Sequence, residues 1–157
     1  MKHLENSNLS NIKQVKQTIK HQVQIISYPG ARFEDLYEIL KYMPNPNLKT
    51  KHLILSVGIN NKGQNANATA NKHIGNLYFQ ATKKFPNAKI YYPHIGNQLS
   101  CDRQMLNLED FERTWQNLGS TILPSVSVTR TTSDGIHWTP ETARCLLDLW
   151  FDRLSLN

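Results

Sequence analysis

With 157 residues, of which 39% are hydrophobic and 19% charged, the chain can bury one two- or three-layer core, and its composition is not that of a disordered protein. It holds no apolar run long enough to span a membrane, and Met1-Lys2-His3-Leu4-Glu5 lacks the apolar centre of a secretory leader, so an intracellular, cytoplasmic protein without a transmembrane segment is expected. The net charge of +6 makes polyanions candidate partners. The lysines are nevertheless spread through the chain, Lys13, Lys49 and Lys84 among them, without aromatic interleaving, which favours a solvated basic surface and leaves nucleic acid the weaker partner candidate.

In chain order, a short apolar stretch up to Leu4 is followed by Ser7, which opens a helical pattern of Leu9, Ile12, Val15 and Ile19. Val23, Ile25 and Ile26 read as a strand that Tyr28-Pro29-Gly30 closes. Phe33, Leu36, Ile39, Leu40 and Met43 recur at helical spacing until Pro44-Asn45-Pro46. His52 to Val57 is nearly continuous apolar sequence, as in a strand covered on both faces. Gly58 ends it, and a loop rich in asparagine (Asn60, Asn61, Asn65, Asn67) leads to a helix from about Ala68 to Phe85.

Pro86-Asn87 turns the chain into a strand from Ala88 to Tyr92 that Pro93 terminates. Leu106 to Leu118 carries Leu108, Phe111, Trp115 and Leu118 on one helical stripe. The last helix spans Pro140 to about Leu154, with Thr139 as its cap, Pro140 at its first position and Glu141 facing its positive end. Strand and helix alternate throughout, which implies one domain over residues 1–157, a doubly wound parallel α/β sheet with helices on both faces. Ligands of such sheets lie outside the carboxyl ends of the strands.

Asp134-Gly135-Ile136-His137, just before the last helix, can set a carboxylate beside an imidazole. Ser7, at a strand-to-helix turn, gains backbone amides able to meet an oxyanion. Gly30 allows close backbone approach, and Asn60 supplies an amide donor. Each has a plainer reading: Ser7 a helix cap, Gly30 a turn former, Asn60 and Asn61 loop formers that tolerate left-handed backbone. Trp115, Trp138 and Trp150 read as packing residues, His94 as a residue at the rim of the site, and Arg32 as a partner of Glu34 or Asp35. Cys101 and Cys145, the only cysteines, read as free thiols, and the six histidines are scattered, so neither a metal nor an organic cofactor is expected.

Taken together, Ser7, Gly30, Gly58-x-Asn60 and Asp134-x-x-His137 resemble the SGNH (GDSL-type) hydrolases in residue type and order along the whole chain. Ser7-Asn8-Leu9-Ser10, Tyr28-Pro29-Gly30-Ala31, Leu53 to Asn61 and Asp134 to Pro140 look, more narrowly, like the esterase domains encoded by animal retroelements. The resemblance implies a flavodoxin-like three-layer α/β/α sandwich with a parallel, roughly five-stranded sheet. It also implies a Ser7, His137, Asp134 triad, an oxyanion hole of the Ser7 and Gly30 amides and the Asn60 side chain, and a small acetyl or lipid ester as substrate.

The chain departs from the family where Gly-Asp-Ser becomes Glu5-Asn6-Ser7, placing a Cβ where a tight turn is expected. Little sequence precedes that motif, so a short central first strand and a reduced core are expected as well. These departures leave a second reading open, a catalytically inactive module of the same fold that serves interaction, with nucleic acid as its candidate partner.

Overall fold

The computed structural model describes residues 2–5, 15–17, 22–28, 30–63, 69–94, 102–125 and 138–155. Among them the strands are β1 (Lys2–Glu5), β2 (Val15–Gln17), β3 (Gln22–Ser27), β4 (His52–Ser56), β5 (Lys89–Pro93) and β6 (Thr121–Leu123). The helices are α1 (Phe33–Lys41), α2 (Asn71–Lys84), α3 (Asp102–Leu118) and α4 (Pro140–Arg153). One sheet runs β2-β3-β1-β4-β5-β6. All its pairs are parallel except β2 with β3. The five parallel strands therefore have the flavodoxin-like order, with an antiparallel strand added at one edge.

Two sequence expectations change. The helical spacing that includes Val15 does not produce a helix there: Val15, Lys16 and Gln17 pair antiparallel with Gln24, Val23 and Gln22. Pairing along the outer side of β3 satisfies backbone groups that would otherwise form an open edge, and a β-branched residue followed by two polar ones suits that place. The second change concerns Glu5. It is the last residue of β1 and pairs with Ser27 on one side and Ser56 on the other. Extended backbone of this kind is open to any L-residue, so the glutamate meets no tight turn. The first strand is short and central, as expected, with a neighbour on both sides of its four residues.

The core follows from the two-residue period of the strands. Leu53, Leu55 and Val57 of β4 and its exit, with Ile90 and Tyr92 of β5, face α1, α2 and α3. Ile54 and Tyr91 point the other way, to Leu123, Trp138 and the inner face of α4. On the first face Trp115 stacks on Tyr92 at 4.9 Å and 11°, while Phe33 meets Phe111 edge-on at 5.2 Å and 84°. Phe33, Tyr92, Phe111 and Trp115 have no exposed surface. Full burial contributes about 1.5–3 kcal/mol for a phenylalanine-sized side chain, so this aromatic group anchors α1 and α3 to the sheet. On the second face Trp150 Nε1 donates to the Pro124 carbonyl at 3.2 Å, tying α4 to the exit of β6. All three tryptophans are thus packing residues.

Tyr92 also gives the fold an alkaline limit. Its hydroxyl donates to the Val57 carbonyl at 2.7 Å, and burial, helped by the charge of Glu112, holds its pKa well above the usual 10.0. The unfolded phenol releases its proton near 10 whereas the folded one keeps it. Below that pH nothing is lost; above it proton release favours the unfolded chain, so stability declines as pH rises. Melting temperature measured against pH should fall more steeply beyond about pH 10 in the native chain than in Tyr92→Phe, which lacks the titrating group. Among the described residues no helix is long and apolar enough to cross a membrane.

Candidate active site

Parallel pairing of β3, β1 and β4 sets their carboxyl ends side by side, since Glu5 is level with both Ser27 and Ser56. From β1 the chain moves to one side, and from β3 it crosses to the other, which makes this edge the topological switch point of the sheet. The segments leaving these three ends are residues 6 onward, 28–32 and 57–61. A fourth segment comes from the opposite layer. The C-terminal end of α4, Arg153 to Ser155, lines one cleft with His52 and Lys89, the first residues of β4 and β5. A fourteen-residue helix is about 20 Å long, so its start points toward the carboxyl end of the sheet. That start is fixed by Trp138, 3% exposed in the second core cluster, and by Thr139, whose Oγ1 accepts from Thr142 N at 3.3 Å.

The exit from β3 is a four-residue turn closed by Ala31 N donating to the Tyr28 carbonyl at 3.1 Å. Its third residue, Gly30, has φ +78°, and a Cβ there would meet nothing within 4 Å. Glycine is thus needed for the backbone angle rather than for space, and the residue is exposed. At the exit from β4 the requirement is stricter. Gly58 has φ +117°, and a Cβ would lie 2.6 Å from Phe33 Cζ and 2.7 Å from the Tyr92 hydroxyl.

Gly58 turns the chain into a short 3-10 turn, Ile59–Asn61, whose two asparagines face the β3 exit. Asn60 Nδ2 donates to the Ala31 carbonyl at 3.3 Å. A primary amide carries two N–H donors, and this bond uses one of them to fix the group beside Gly30. Asn61 is fully buried; its Oδ1 accepts from Phe33 N at 3.0 Å and its Nδ2 donates to Glu34 Oε1 at 3.2 Å. Among the described residues the only non-glycine positions of positive φ are Asn45 and Ser155, so neither Asn60 nor Asn61 serves as a left-handed loop former.

Asn61 was not singled out from the sequence as a site residue. The signal was a missing cap: Arg32 precedes α1 and no serine, threonine, aspartate or asparagine stands there to accept from its first N–H groups. The cap comes instead from 28 residues downstream. Asp35 Oδ2 accepts from Arg32 N at 2.8 Å, and Glu34 pairs with His73 Nε2 of α2 at 3.1 Å. His94, at the exit of β5, pairs through Nδ1 with Glu112 of α3, so it is held over the carboxyl end of β5.

Of the residues expected to form the site, the structure brings the Gly30 turn and Asn60 together. Ser7, Asp134 and His137 lie outside the described residues, as does Cys101; Cys145 is a free, exposed thiol.

No protein-family model and no curated protein matches the chain. Solved structures do. A GDSL-like protein of Parabacteroides merdae superposes with a TM-score of 0.71 at 10% identity over 99% of this chain and 95% of its own. The psychrotrophic esterase EstA of Pseudoalteromonas gives 0.67 at 12% over 98% and 96%, and the carbohydrate acetylesterase Est24 of Sinorhizobium meliloti gives 0.67 at 12% over 98% and 97%. Near-complete coverage in both directions at such low identity is agreement of topology: the chain has the α/β fold of the SGNH and GDSL hydrolases.

Proposed function

We propose that residues 1–157 form one SGNH-type domain that hydrolyses small carboxylic esters, acetyl or lipid, with Ser7, His137 and Asp134 as its triad. The observation that carries this reading is the Asn60–Ala31 bond at the switch point of the sheet, which sets an amide donor beside the Gly30 turn at the end of β1 that leads to Ser7. The direction of α4 supports it from the other side, because His137 immediately precedes the anchored Trp138.

The chemistry follows directly. Ser7 Oγ attacks the ester carbonyl as His137 takes its proton, and the amides of Ser7 and Gly30 with Asn60 Nδ2 hold the negative oxygen. Collapse of the tetrahedral adduct expels the alcohol, which receives the proton from His137. Water activated by the same imidazole then cleaves the acyl-serine to release the acid. Asp134 orients the ring and stabilises its charged form.

Glu5 in paired, extended backbone supports the active reading over the inactive one, because the glutamate that stands in place of the family's glycine puts no strain on the strand that leads to the serine. The finer likeness to retroelement-encoded esterase domains belongs to the same proposal and rests on the four sequence blocks alone. The esterase EstA has been determined inhibited by monoethylphosphonate, which commends phosphonate chemistry as a probe of the serine here. Asn60→Ala should lower kcat for p-nitrophenyl acetate by about 10²–10³ while leaving KM within a factor of about three, since the lost donor acts on the transition state. An unchanged kcat would remove Asn60 from the oxyanion hole.

A further inference from the structure

We infer that the end of the sheet opposite the candidate active site binds single-stranded nucleic acid. Helices α1, α2 and α4 finish there, with Lys41, Lys83, Lys84 and Arg153 in their last turns. Cations are favoured at helix ends by the dipole alone, so these four have an ordinary reason to be where they are. Lys49, Lys51 and Lys89 stand outside the reach of any helix dipole, although the Lys89 ammonium lies 5.6 Å from the Tyr91 ring centroid. They are exposed, on the loop before β4 and at the start of β5, outside any helix.

The loop before β4, the end of α2 and the start of β5 adjoin one another, and the end of α4 shares a cleft with Lys89. Lys89 N donates to the Lys51 carbonyl at 2.8 Å, Asn87 Nδ2 to the Leu48 carbonyl at 3.0 Å, and Lys84 Nζ to the Met43 carbonyl at 3.2 Å. Among the described residues Asp152 is the acid at this end, with Glu38 and Asp148 set farther back along α1 and α4. Glu34, Asp35 and Glu141 stand at the starts of their helices, toward the other end.

Two further features fit a nucleic-acid strand. An open cleft of about 470 Å³ has His52, Lys89, Tyr91, Thr121 and Arg153 on part of its lining and apolar side chains of β6 and the end of α4 on the rest, and the Tyr91 hydroxyl lies 3.0 Å from His52 Nδ1. Cations, a hydroxyl and an imidazole are the groups that hold a phosphodiester. At the same end of the sheet, but on its other face at the close of α1, Tyr42 is 71% exposed, with the Lys41 ammonium 5.4 Å from its ring centroid. An exposed ring among cations offers a stacking platform, which an unpaired base can use and a base inside a duplex cannot. A lipid bilayer is the poorer occupant: attached by this end, the protein would hold its candidate active site away from the membrane by roughly the 20 Å length of its helices.

The test is fluorescence anisotropy of a labelled 20-nucleotide single-stranded RNA titrated with the whole chain at several salt concentrations. The native protein should show log K falling against log salt with a slope of about −2 to −4, each phosphate contact contributing about −0.7. Lys49→Gln, Lys51→Gln and Lys89→Gln combined should weaken binding at least about tenfold and flatten the slope by about 2, and the corresponding arginine triple should retain both. Tyr42→Ala should weaken binding about fivefold or more with the slope unchanged.

Ester turnover should be the same in all of these variants, so this proposal and the esterase reading fail separately. Absence of RNA binding, unchanged affinity in a folded glutamine triple, or binding to vesicles of anionic lipid without binding to RNA would overturn it.

Discussion

Ser7→Ala is expected to lower turnover of p-nitrophenyl acetate by about 10⁴–10⁶, to the level of uncatalysed hydrolysis plus what the oxyanion donors still supply. The size follows from the division of labour. Without an attacking oxygen no acyl-enzyme forms, and His137 can only assist water, a poorer and less well-placed nucleophile. Folding should be unaffected, because alanine is accepted in extended and helical backbone alike, so far-UV circular dichroism and melting temperature serve as the control. His137→Ala should fall to a similar floor, since the serine and its base act as a unit and their losses do not add. A Ser7→Ala protein that keeps most of its activity would place the nucleophile elsewhere.

Gly58→Ala is expected to be the most damaging small change to the fold. A side chain at φ +117° costs about 1–3 kcal/mol in backbone strain. Its Cβ would also fall 2.6 and 2.9 Å from the Phe33 ring and 2.7 Å from the Tyr92 hydroxyl. Both neighbours are fully buried and held among aromatic rings, so neither gives way freely, and overpacking adds about 1–3 kcal/mol more. Together these predict a melting temperature lower by on the order of 10 °C. Gly30→Ala separates the two effects. Its φ is also positive, yet open space surrounds the Cβ, so it should cost about 1–2 kcal/mol. Equal losses at the two glycines would show that the contacts around Gly58 relax without cost. Whatever Gly58→Ala retains of its fold should also lose kcat, because Gly58 aims the turn that carries Asn60.

Much of the architecture was legible in the residues. Helices α1, α3 and α4 follow from apolar positions at helical spacing, and β4 follows from a run with no polar break between Leu53 and Leu55. Those segments bury a whole face, so burial stamps a pattern on them. β2 and β6 carry no such stamp. Each has three residues, and β2 is an edge strand of Val15, Lys16 and Gln17 whose apolar spacing suggests a helix until its pairing with β3 is known.

The candidate site divides in the same way. Gly30 and Asn60 could be named from residue type and order, whereas Asn61 looked like part of a polar loop. Its identity as the buried cap of α1 depends on Phe33 and Asn61 meeting across 28 positions, and no local spacing encodes that meeting. Glu5 illustrates the converse. Its charge and bulk look disruptive in a motif that usually has glycine, whereas the residue itself ends a plain paired strand.

The central claim, that Ser7 is a nucleophile activated by His137, is tested most directly by mass spectrometry after treatment with a fluorophosphonate. One adduct per chain, mapped to the peptide containing Ser7 and abolished in both Ser7→Ala and His137→Ala, is the expected result. A chain that remains unmodified while folded, or that carries the adduct at another residue, would contradict the account.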